Sequence, residues 1–301
     1  MIKKFLFIGY GNMTKKYCNI LKKYKKKIII KFYTKQKIPN NLFYEPNEFK
    51  KYDPDIIFIC SSTINHYSDL KFANKLFKNK VIFVEKPLYH KFFQLKNIKN
   101  KIYVNYNLRY DLLLQYLKKI LDKKKIWSLE IFCKSFLPNW RKSNYIKSYS
   151  AKKILGGGVL LDLSHELDYL TWIFGKIEIN YVKNNKISNL RIDSDDNLLL
   201  VGKTKNIKQI LIHLNYYSRI EQRSISVTSK NLTFDADLIN KKISFFNSKS
   251  QQYVKSWSEK GFQITYDRLI KDIVNTNKIK IPDLKFSLKV QKLISRIQEQ
   301  K

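Results

Sequence analysis

Short apolar runs alternate with segments of helical periodicity over the first 105 residues. Strands are predicted at 2–8, 27–32, 56–60, 80–84 and 101–105, and helices from about Tyr17, at 67–78 and near 90–99. The runs at 56–60 and 81–84 are wholly apolar, which is typical of strands buried on both faces. Strands that alternate with helices predict a doubly wound parallel sheet.

The pattern changes near residue 107. Helices are predicted to about 121 and at 159–174, 262–275 and 286–299, and strands at 126–134, 177–184, 196–203, 206–216, 222–229, 231–236 and 241–246. Because several of these strands are consecutive, we expect an open, largely antiparallel or mixed sheet. The sequence therefore predicts a first domain over 1–107 and a second α/β domain over 108–301.

Length and composition limit the class of protein. A chain of 301 residues suits two domains or one large one. No run approaches the ~18 apolar residues of a membrane helix, and the first apolar run is too short for a signal peptide. Cys18, Cys60 and Cys133 lie far apart without metal-ligand spacing. Free thiols in a reducing, cytoplasmic compartment are expected, with no metal site.

The net charge of +35 has two interpretations. It could mark a nucleic-acid or membrane binder. However, only 7 of the 59 basic residues are Arg, and the lysines are spread along the whole chain without a binding motif. We therefore favour biased composition as the cause and expect no nucleic-acid or membrane partner. A general attraction for anionic substrates is compatible with either interpretation.

A Gly-x-Gly turn follows the first strand. Gly9 permits a tight turn, and Gly11 lets the backbone approach a pyrophosphate at a helix N-terminus. Thr14 occupies the third position of this fingerprint, where Gly or Ala is usual. The turn predicts a dinucleotide site, with candidate cofactor contacts at Gly9, Tyr10, Gly11, Asn12 and Met13.

The segment after the second strand bears on the choice between NAD and NADP. It reads Tyr33-Thr34-Lys35-Gln36-Lys37 and contains no acid that could bind a ribose diol. Thr34 and Lys35 could instead contact a 2′-phosphate, which favours NADP and leaves NAD possible. The alternative is that these lysines are ordinary surface residues of a lysine-rich chain.

Polar residues follow the third strand directly. Ser61, Ser62 and Thr63 are candidates for contact with ribose and phosphate. His66 follows them and is either a further cofactor contact or a polar residue that starts a helix.

Glu85, Lys86 and Pro87 follow the strand at 81–84 without a break. Ligands bind outside the carboxyl ends of parallel strands, so Glu85 and Lys86 are expected beside a cofactor. Pro87 restricts the backbone of Lys86 and thereby its direction. The alternative is a surface lysine after a strand.

The predicted helix at 159–174 is apolar nearly all round, which indicates a buried helix, and it carries an imidazole and acids. Asp162, His165 and Asp168 are spaced by three residues, which places neighbouring members on one face. A buried acid or imidazole costs free energy unless it is paired or functional. The two interpretations are a catalytic group and a satisfied structural network. Gly156, Gly157 and Gly158 precede the helix and allow a ligand or another backbone to approach.

Together these motifs resemble the Gfo/Idh/MocA oxidoreductases. The resemblance rests on the Gly-x-Gly turn, Ser61 to His66, Glu85-Lys86-Pro87, Tyr106-Asn107-x-Arg109, and Gly156 to Asp168. It implies a Rossmann domain and a second domain whose open sheet often forms the dimer contact, so a homo-oligomer, dimer or tetramer, is expected. Three departures stand out: Thr14, Tyr17 where His is frequent, and an acid three rather than four residues before His165.

The resemblance also implies a reaction. Hydride would pass between a nicotinamide and a secondary alcohol or ketone of a sugar. Lys86 is implied as the catalytic lysine, with His165 exchanging the hydroxyl proton and Asp162 as their orienting partner.

Two further segments, Leu137 to Arg141 and Tyr149 to Ala151, resemble a branch found among surface-polysaccharide and flagellin-glycan genes. They suggest a nucleotide-linked or amino sugar as the substrate. Asn107, Arg141 and Tyr149 are candidates to line the sugar pocket, and Arg141 is also a candidate cofactor contact. The alternative function is a non-catalytic, dinucleotide-sensing regulator on the same fold.

Overall fold

The computed structural model divides into two compact units. It describes residues 2–34, 42–43, 46–142, 144–246, 249, 251–259, 261–276 and 278–300. The first unit comprises Met1–Asn107 and Thr265–Gln291, and the second comprises Leu108–Ile264 and Lys292–Lys301. The sequence assigned 265–291 to the second domain, whereas in the structure these residues cluster with the first.

The first unit contains a six-stranded sheet in which every neighbouring pair is parallel. The strands are β1 (Lys3–Ile8), β2 (Ile28–Tyr33), β3 (Leu42–Phe43), β4 (Ile56–Ile59), β5 (Val81–Val84) and β6 (Lys101–Val104), in the order β3-β2-β1-β4-β5-β6. From β1 the chain adds β2 and β3 on one side of the sheet, and it then adds β4, β5 and β6 on the other side, so the switch point lies between β1 and β4. Crevices at such switch points are where open α/β sheets bind ligands. The predicted doubly wound sheet is confirmed.

An aromatic ladder holds the centre of this sheet. Phe7 pairs in register with Phe58, and Phe58 with Phe83. Their rings stack at centroid distances of 5.0 and 4.9 Å, and all three are buried. Residues that are neighbours across parallel strands stack because the register places them on one face.

The helices that flank this sheet are α1 (Asn12–Leu21), α2 (Pro46–Tyr52) and α3 (His66–Leu76), with a 3₁₀ segment at Lys22–Lys27. The predicted helix near 90–99 is wrong, because these residues are irregular. The side chain of Asn74 accepts from the Lys99 amide and donates to the Asn97 carbonyl, both at 3.0 Å. These backbone groups are therefore not available to a helix, and Asn97 itself adopts a left-handed conformation.

The second unit contains an eight-stranded mixed sheet. Its strands are β7 (Ile126–Phe136), β8 (Glu178–Asn185), β9 (Asn197–Lys203), β10 (Ile207–Asn215), β11 (Tyr217–Thr228), β12 (Thr233–Asp237), β13 (Lys242–Phe246) and β14 (Gln252–Ser256), in the order β14-β13-β12-β11-β7-β10-β9-β8. Only β7 and β10 pair in parallel among these described strands. The predicted mixed sheet is confirmed.

One face of this sheet forms a core. Ile131 lies in register with Ile212 on one side and Ile225 on the other, and all three are buried. The alternation of buried and more exposed positions along β7 follows from the two-residue period of a strand.

The remaining helices are α4 (Leu112–Leu121), α5 (Val159–Asp162), α6 (His165–Phe174), α7 (Gln263–Lys271) and α8 (Leu284–Glu299). The predicted single helix at 159–174 is wrong, because Leu163 leaves helical geometry (φ −96°, ψ 27°) between α5 and α6. Asp162 and His165 therefore belong to different helical segments. None of the described helices combines the length and apolarity that crossing a membrane requires.

Candidate functional site

The turn between β1 and α1 is built around Gly9. Gly9 has φ +92°, and a Cβ there would lie 2.7 Å from the Ser61 nitrogen. Only glycine allows the turn to press against the end of β4 in this way. Thr14 is buried, and its hydroxyl donates to the Gly9 carbonyl at 2.9 Å. The unusual third residue of the fingerprint thus reinforces the turn.

The first turn of α1 is suited to an anion. Gly11 caps the helix in an extended conformation, and neither an acidic residue nor a side-chain cap occupies its described N-terminus. A Cβ at Gly11 would meet only the Cys60 carbonyl, at 3.8 Å. Asn12 and Met13 open the helix, and the Tyr10 ring packs edge-on against Phe32 at 5.1 Å. The amides that a helix leaves unpaired here are those that bind pyrophosphates in such turns.

Thr34 directly follows β2. Lys35 and Lys37 lie outside the described residues. The predicted preference for NADP therefore depends in part on lysines that lie outside the described residues.

His66 links two loops at the carboxyl edge of the first sheet. Its ring is buried, with Nδ1 at 2.8 Å from the Pro87 carbonyl and Nε2 at 3.2 Å from the Ser61 carbonyl. Burial lowers the pKa of His66 to about 4, so the ring is neutral and carries one proton. The shorter contact assigns this proton to Nδ1, which donates to Pro87. His66 thereby ties the loop after β5 to the loop after β4.

The backbone directly after β4 and β5 remains close to the first sheet. Ser62 precedes a 3₁₀ turn at Thr63–Asn65, and Thr63 is buried. The Glu85 amide donates to the Ile59 carbonyl at 2.9 Å, which extends the pairing of β4 and β5 by one residue. Lys86 is half-buried and follows directly, and the Lys86–Pro87 peptide bond is cis. Lys86 thus leaves the sheet beside Ser61 and Ser62, near the switch point.

Glu85 belongs to a buried polar network that the sequence analysis missed. The Tyr17 hydroxyl donates to Glu85 Oε1, and Asn105 Nδ2 donates to the same oxygen at 2.6 Å. No periodicity brings residues 17, 85 and 105 together. The only sequence signal was that Tyr17 stands where His is frequent in the family.

Asn107, a predicted substrate contact, forms a hydrogen bond within the first unit and its returning segment. Its Nδ2 donates to Thr265 Oγ1 at 2.5 Å, and both residues are buried. This bond joins the end of the first long segment of the unit to the segment that returns at 265–291.

In the second unit, Asp162 accepts from two tyrosines. Tyr149 donates to Oδ1, and Tyr216 donates to Oδ2 at 2.6 Å. Burial raises the pKa of Tyr216 well above its ordinary value, so its hydroxyl remains a donor. One hydroxyl on each oxygen fixes the plane of the carboxylate. Tyr216 was missed by the sequence analysis, since it lies between two strands and carries no motif.

Two further side chains support these tyrosines. The Arg141 guanidinium lies 5.3 Å from the centroid of the Tyr149 ring, within cation–π distance. The Trp140 ring meets the Tyr216 ring edge-on at 5.1 Å, and its Nε1 donates to Ser135 Oγ at 3.0 Å. Of the predicted residues, Arg141, Tyr149 and Asp162 thus form one cluster.

Gly157 explains how Tyr149 reaches α5. A Cβ at Gly157 would lie 2.1 Å from the Tyr149 carbonyl and 2.7 Å from the Ser150 carbonyl. The predicted close approach at the glycine run is therefore an approach of another backbone. It places the Tyr149 segment directly against the start of α5.

His165 is the first residue of α6 and is 9% exposed. Three residues on, Asp168 forms a buried ion pair with Arg109, with Nη2–Oδ1 at 2.7 Å and Nε–Oδ2 at 3.0 Å. The Trp172 ring packs 5.2 Å from the guanidinium. A bidentate buried pair of this kind is structural, so for Asp168 the interpretation as a satisfied network applies.

Comparison with known proteins identifies the family. The model of the oxidoreductase family C-terminal alpha/beta domain, GFO_IDH_MocA_C, matches residues 128–301. The chain belongs to the Gfo/Idh/MocA oxidoreductase family. A search of curated protein sequences finds no match.

Solved structures share the fold over the whole chain. The WlbA dehydrogenase from Bordetella pertussis, in complex with NADH and UDP-GlcNAcA, has a TM-score of 0.76 and 14% identity, covering 100% of this chain and 96% of that one. The UDP-N-acetylglucosamine 3-dehydrogenase GnnA from Acidithiobacillus ferrooxidans has a TM-score of 0.74 and 13% identity, covering 100% of this chain and 98% of that one. A super-repressor mutant of Gal80p from Saccharomyces cerevisiae has a TM-score of 0.81 and 14% identity, covering 100% of this chain and 96% of that one.

Proposed function

We propose that this oxidoreductase-family protein transfers hydride between a nicotinamide cofactor and a secondary alcohol or ketone carbon of a nucleotide-linked or amino sugar. The observation that carries the proposal is the position of Lys86. It leaves the carboxyl end of β5, one strand from the switch point, beside the loop that contacts the Gly9 turn. An amine there can donate a hydrogen bond to a substrate oxygen and stabilise negative charge that develops on it.

The residues of the first unit fit a dinucleotide. The tight turn at Gly9, the open N-terminus of α1 and the absence of an acid in its described first turn suit a pyrophosphate. A bound nicotinamide would supply the hydride donor or acceptor. Tyr10, Asn12, Met13, Ser61 and Ser62 would contact the cofactor.

We further propose a preference for NADP, because the segment after β2 contains no acid for a ribose diol. Thr34 and Lys35 would contact the 2′-phosphate.

Two residues of the second unit would act on the substrate. His165 would take the proton of the substrate hydroxyl during oxidation and return it during reduction. Asp162 would orient His165 or Lys86, and the plane of its carboxylate is fixed by Tyr149 and Tyr216. Arg141, half-buried against Tyr149, would add a positive charge for an anionic sugar derivative.

The sugar class is supported by relatives. WlbA is described in complex with NADH and UDP-GlcNAcA, and GnnA is named a UDP-N-acetylglucosamine 3-dehydrogenase. Both share the fold of this chain at 13–14% identity. The second candidate function is a non-catalytic regulator that senses a dinucleotide, because Gal80p, which is described as a super-repressor mutant, has the same fold.

Calorimetric titration with NADH and NADPH, followed by absorbance assays with a panel of nucleotide sugars, tests the proposal. We expect both cofactors to bind, NADPH more tightly, and at least one sugar to support oxidation or reduction. Tighter binding of NADH would refute the cofactor preference alone. Cofactor binding without turnover on any sugar would favour the regulator, and binding of neither cofactor would refute both functions.

A further inference from the structure

The network around Glu85 connects a helix of the first unit with the ends of two strands of its sheet. Tyr17 lies on α1, Glu85 follows β5, and Asn105 follows β6. Tyr17 is 0% exposed, Asn105 1% and Glu85 9%. A carboxyl group is rarely buried to this extent unless it is paired or has a function.

The hydrogen bonds on Glu85 are asymmetric. Both side-chain donors, Tyr17 Oη and Asn105 Nδ2, approach the same oxygen, Oε1. Glu85 forms no ion pair within 4.0 Å in the described part of the chain. One oxygen is therefore held firmly by two neutral donors, and the charge of the group is not neutralised by a direct cationic partner.

Charged and titratable groups surround the carboxyl from every adjacent element. Lys16 on α1 and Lys86 after β5 favour its ionised form, while the Cys60 thiol borders it at the end of β4. Tyr266, on α7, packs against the Tyr17 ring at 6.0 Å and under the Lys16 amine at 4.3 Å. Burial outweighs the two lysines and raises the pKa of Glu85 to about 7.

We propose that Glu85 is a proton-binding group whose charge orients the amine of the adjacent Lys86, and that Tyr17 and Asn105 are the residues that position Glu85. The inference rests on the proposed function for Lys86. Ionised Glu85 supplies a negative charge next to Lys86, and the attraction between the two charges holds the Lys86 ammonium group in position to donate to a substrate oxygen. Protonation of Glu85 removes that attraction. The enzyme would therefore lose activity as Glu85 takes up a proton.

The network predicts how each variant changes the titration of Glu85. Tyr17→Phe removes a donor that favours the ionised carboxylate, so Glu85 should titrate about one pH unit higher. The acidic limb of the kcat/KM profile should move upward by the same amount. Glu85→Gln cannot titrate, so the part of this limb that is due to Glu85 should disappear, together with most of the activity at all pH values. Tyr52→Phe is the matched control, because the Tyr52 hydroxyl bonds to the Phe5 and Ile29 carbonyls instead.

Carbon-13 NMR of the full chain, with glutamate labelled at the carboxyl carbon, tests the proton site without requiring turnover. We expect one carboxyl to titrate in the neutral range, to be absent from Glu85→Gln and to shift upward in Tyr17→Phe but not in Tyr52→Phe. If Glu85→Gln does not fold, the Tyr17→Phe shift alone carries the test. Titration of every glutamate between about pH 4 and 5 would overturn the proposal.

The pH profile of kcat/KM then tests the link to Lys86. An acidic limb that does not move in Tyr17→Phe, although the NMR titration does, would also overturn the inference. A neutral titration in a protein that binds no nicotinamide would instead show that the proposed function has failed while the proton site exists.

Discussion

The Tyr216 hydroxyl donates a 2.6 Å hydrogen bond to Asp162 Oδ2, and the Tyr149 hydroxyl donates to the other oxygen of the same carboxylate. Tyr216 lies in the single-residue gap between β10 and β11 and is fully buried. The carboxylate at the end of α5 is therefore held from the sheet and from the loop before the glycine run. Its orientation depends on residues distant in sequence.

Tyr216→Phe tests whether this orientation matters for turnover. The variant removes one hydroxyl from a buried site, so kcat should fall about tenfold, while stability should fall by about 1–2 kcal/mol. Tyr217→Phe is the control, because the Tyr217 hydroxyl donates to Asn197 at 2.9 Å. Steady-state kinetics and urea unfolding measure the two effects. Equal kcat in both variants would show that Asp162 needs no support from Tyr216.

Breaking the ion pair between Arg109 and Asp168 should affect stability alone. Arg109→Ala leaves the Asp168 carboxylate buried without its partner, which should cost about 3–5 kcal/mol. Arg191→Ala removes an exposed arginine and should cost less than about 0.5 kcal/mol. All four tryptophans lie in the second unit, so their fluorescence during urea unfolding reports on this loss. A cost below about 1 kcal/mol for Arg109→Ala would contradict the assigned structural role.

Glu85 predicts the pH dependence of stability. Its pKa rises from 4.5 in the unfolded chain to about 7 in the fold, so the folded state binds more protons between these values. The contribution of this group to stability should therefore be full below about pH 4.5 and decline as the pH rises to about 7, by roughly 3 kcal/mol. Burial also raises the pKa of Asp168 to about 6, so both proteins should lose some stability in this range. Calorimetric melting of wild type and Glu85→Gln checks the sign, since the decline should be smaller in the variant. The same decline in Glu85→Gln would assign it to other groups.

Lys86 and His165 should each be required for turnover. Lys86→Ala and His165→Ala are expected to lower kcat by about a hundredfold or more. If both groups serve one proton transfer, the double variant should lose little more than either single variant. Cofactor affinity should be unchanged in His165→Ala and modestly lower in Lys86→Ala. Additive losses in the double variant would indicate independent roles.

The parts of the fold predicted correctly depend on local patterns. Apolar runs placed β4 and β5, and the Gly-x-Gly turn placed the start of α1, because burial on both faces and a tight turn each leave a short signature. At the C-terminal end of the helix predicted near 90–99, Asn74 from another element bonds to the backbone of Asn97 and Lys99 instead. Tertiary contacts of this kind leave no trace in local periodicity.

The candidate site likewise contains residues that the sequence predicts and residues that it does not. Lys86 and Asp162 follow motifs that can be recognised in the sequence, and so could be named in advance. Tyr17, Asn105 and Tyr216 act through hydrogen bonds to residues at least 20 positions away, which no spacing rule reveals. The break at Leu163 was also unpredictable, since residues 159–174 contain no Gly or Pro and read as one helix.

Transfer of deuterium from a sugar carbon to the cofactor tests the central claim most directly. Nucleotide sugars that support turnover would be prepared with deuterium at the carbinol carbon and incubated with the oxidised cofactor and wild-type protein, Lys86→Ala or His165→Ala. Mass spectrometry should find deuterium in the reduced cofactor with wild type and about a hundredfold slower transfer with each variant. Wild-type rates in both variants, or a reduced cofactor without deuterium, would contradict the account.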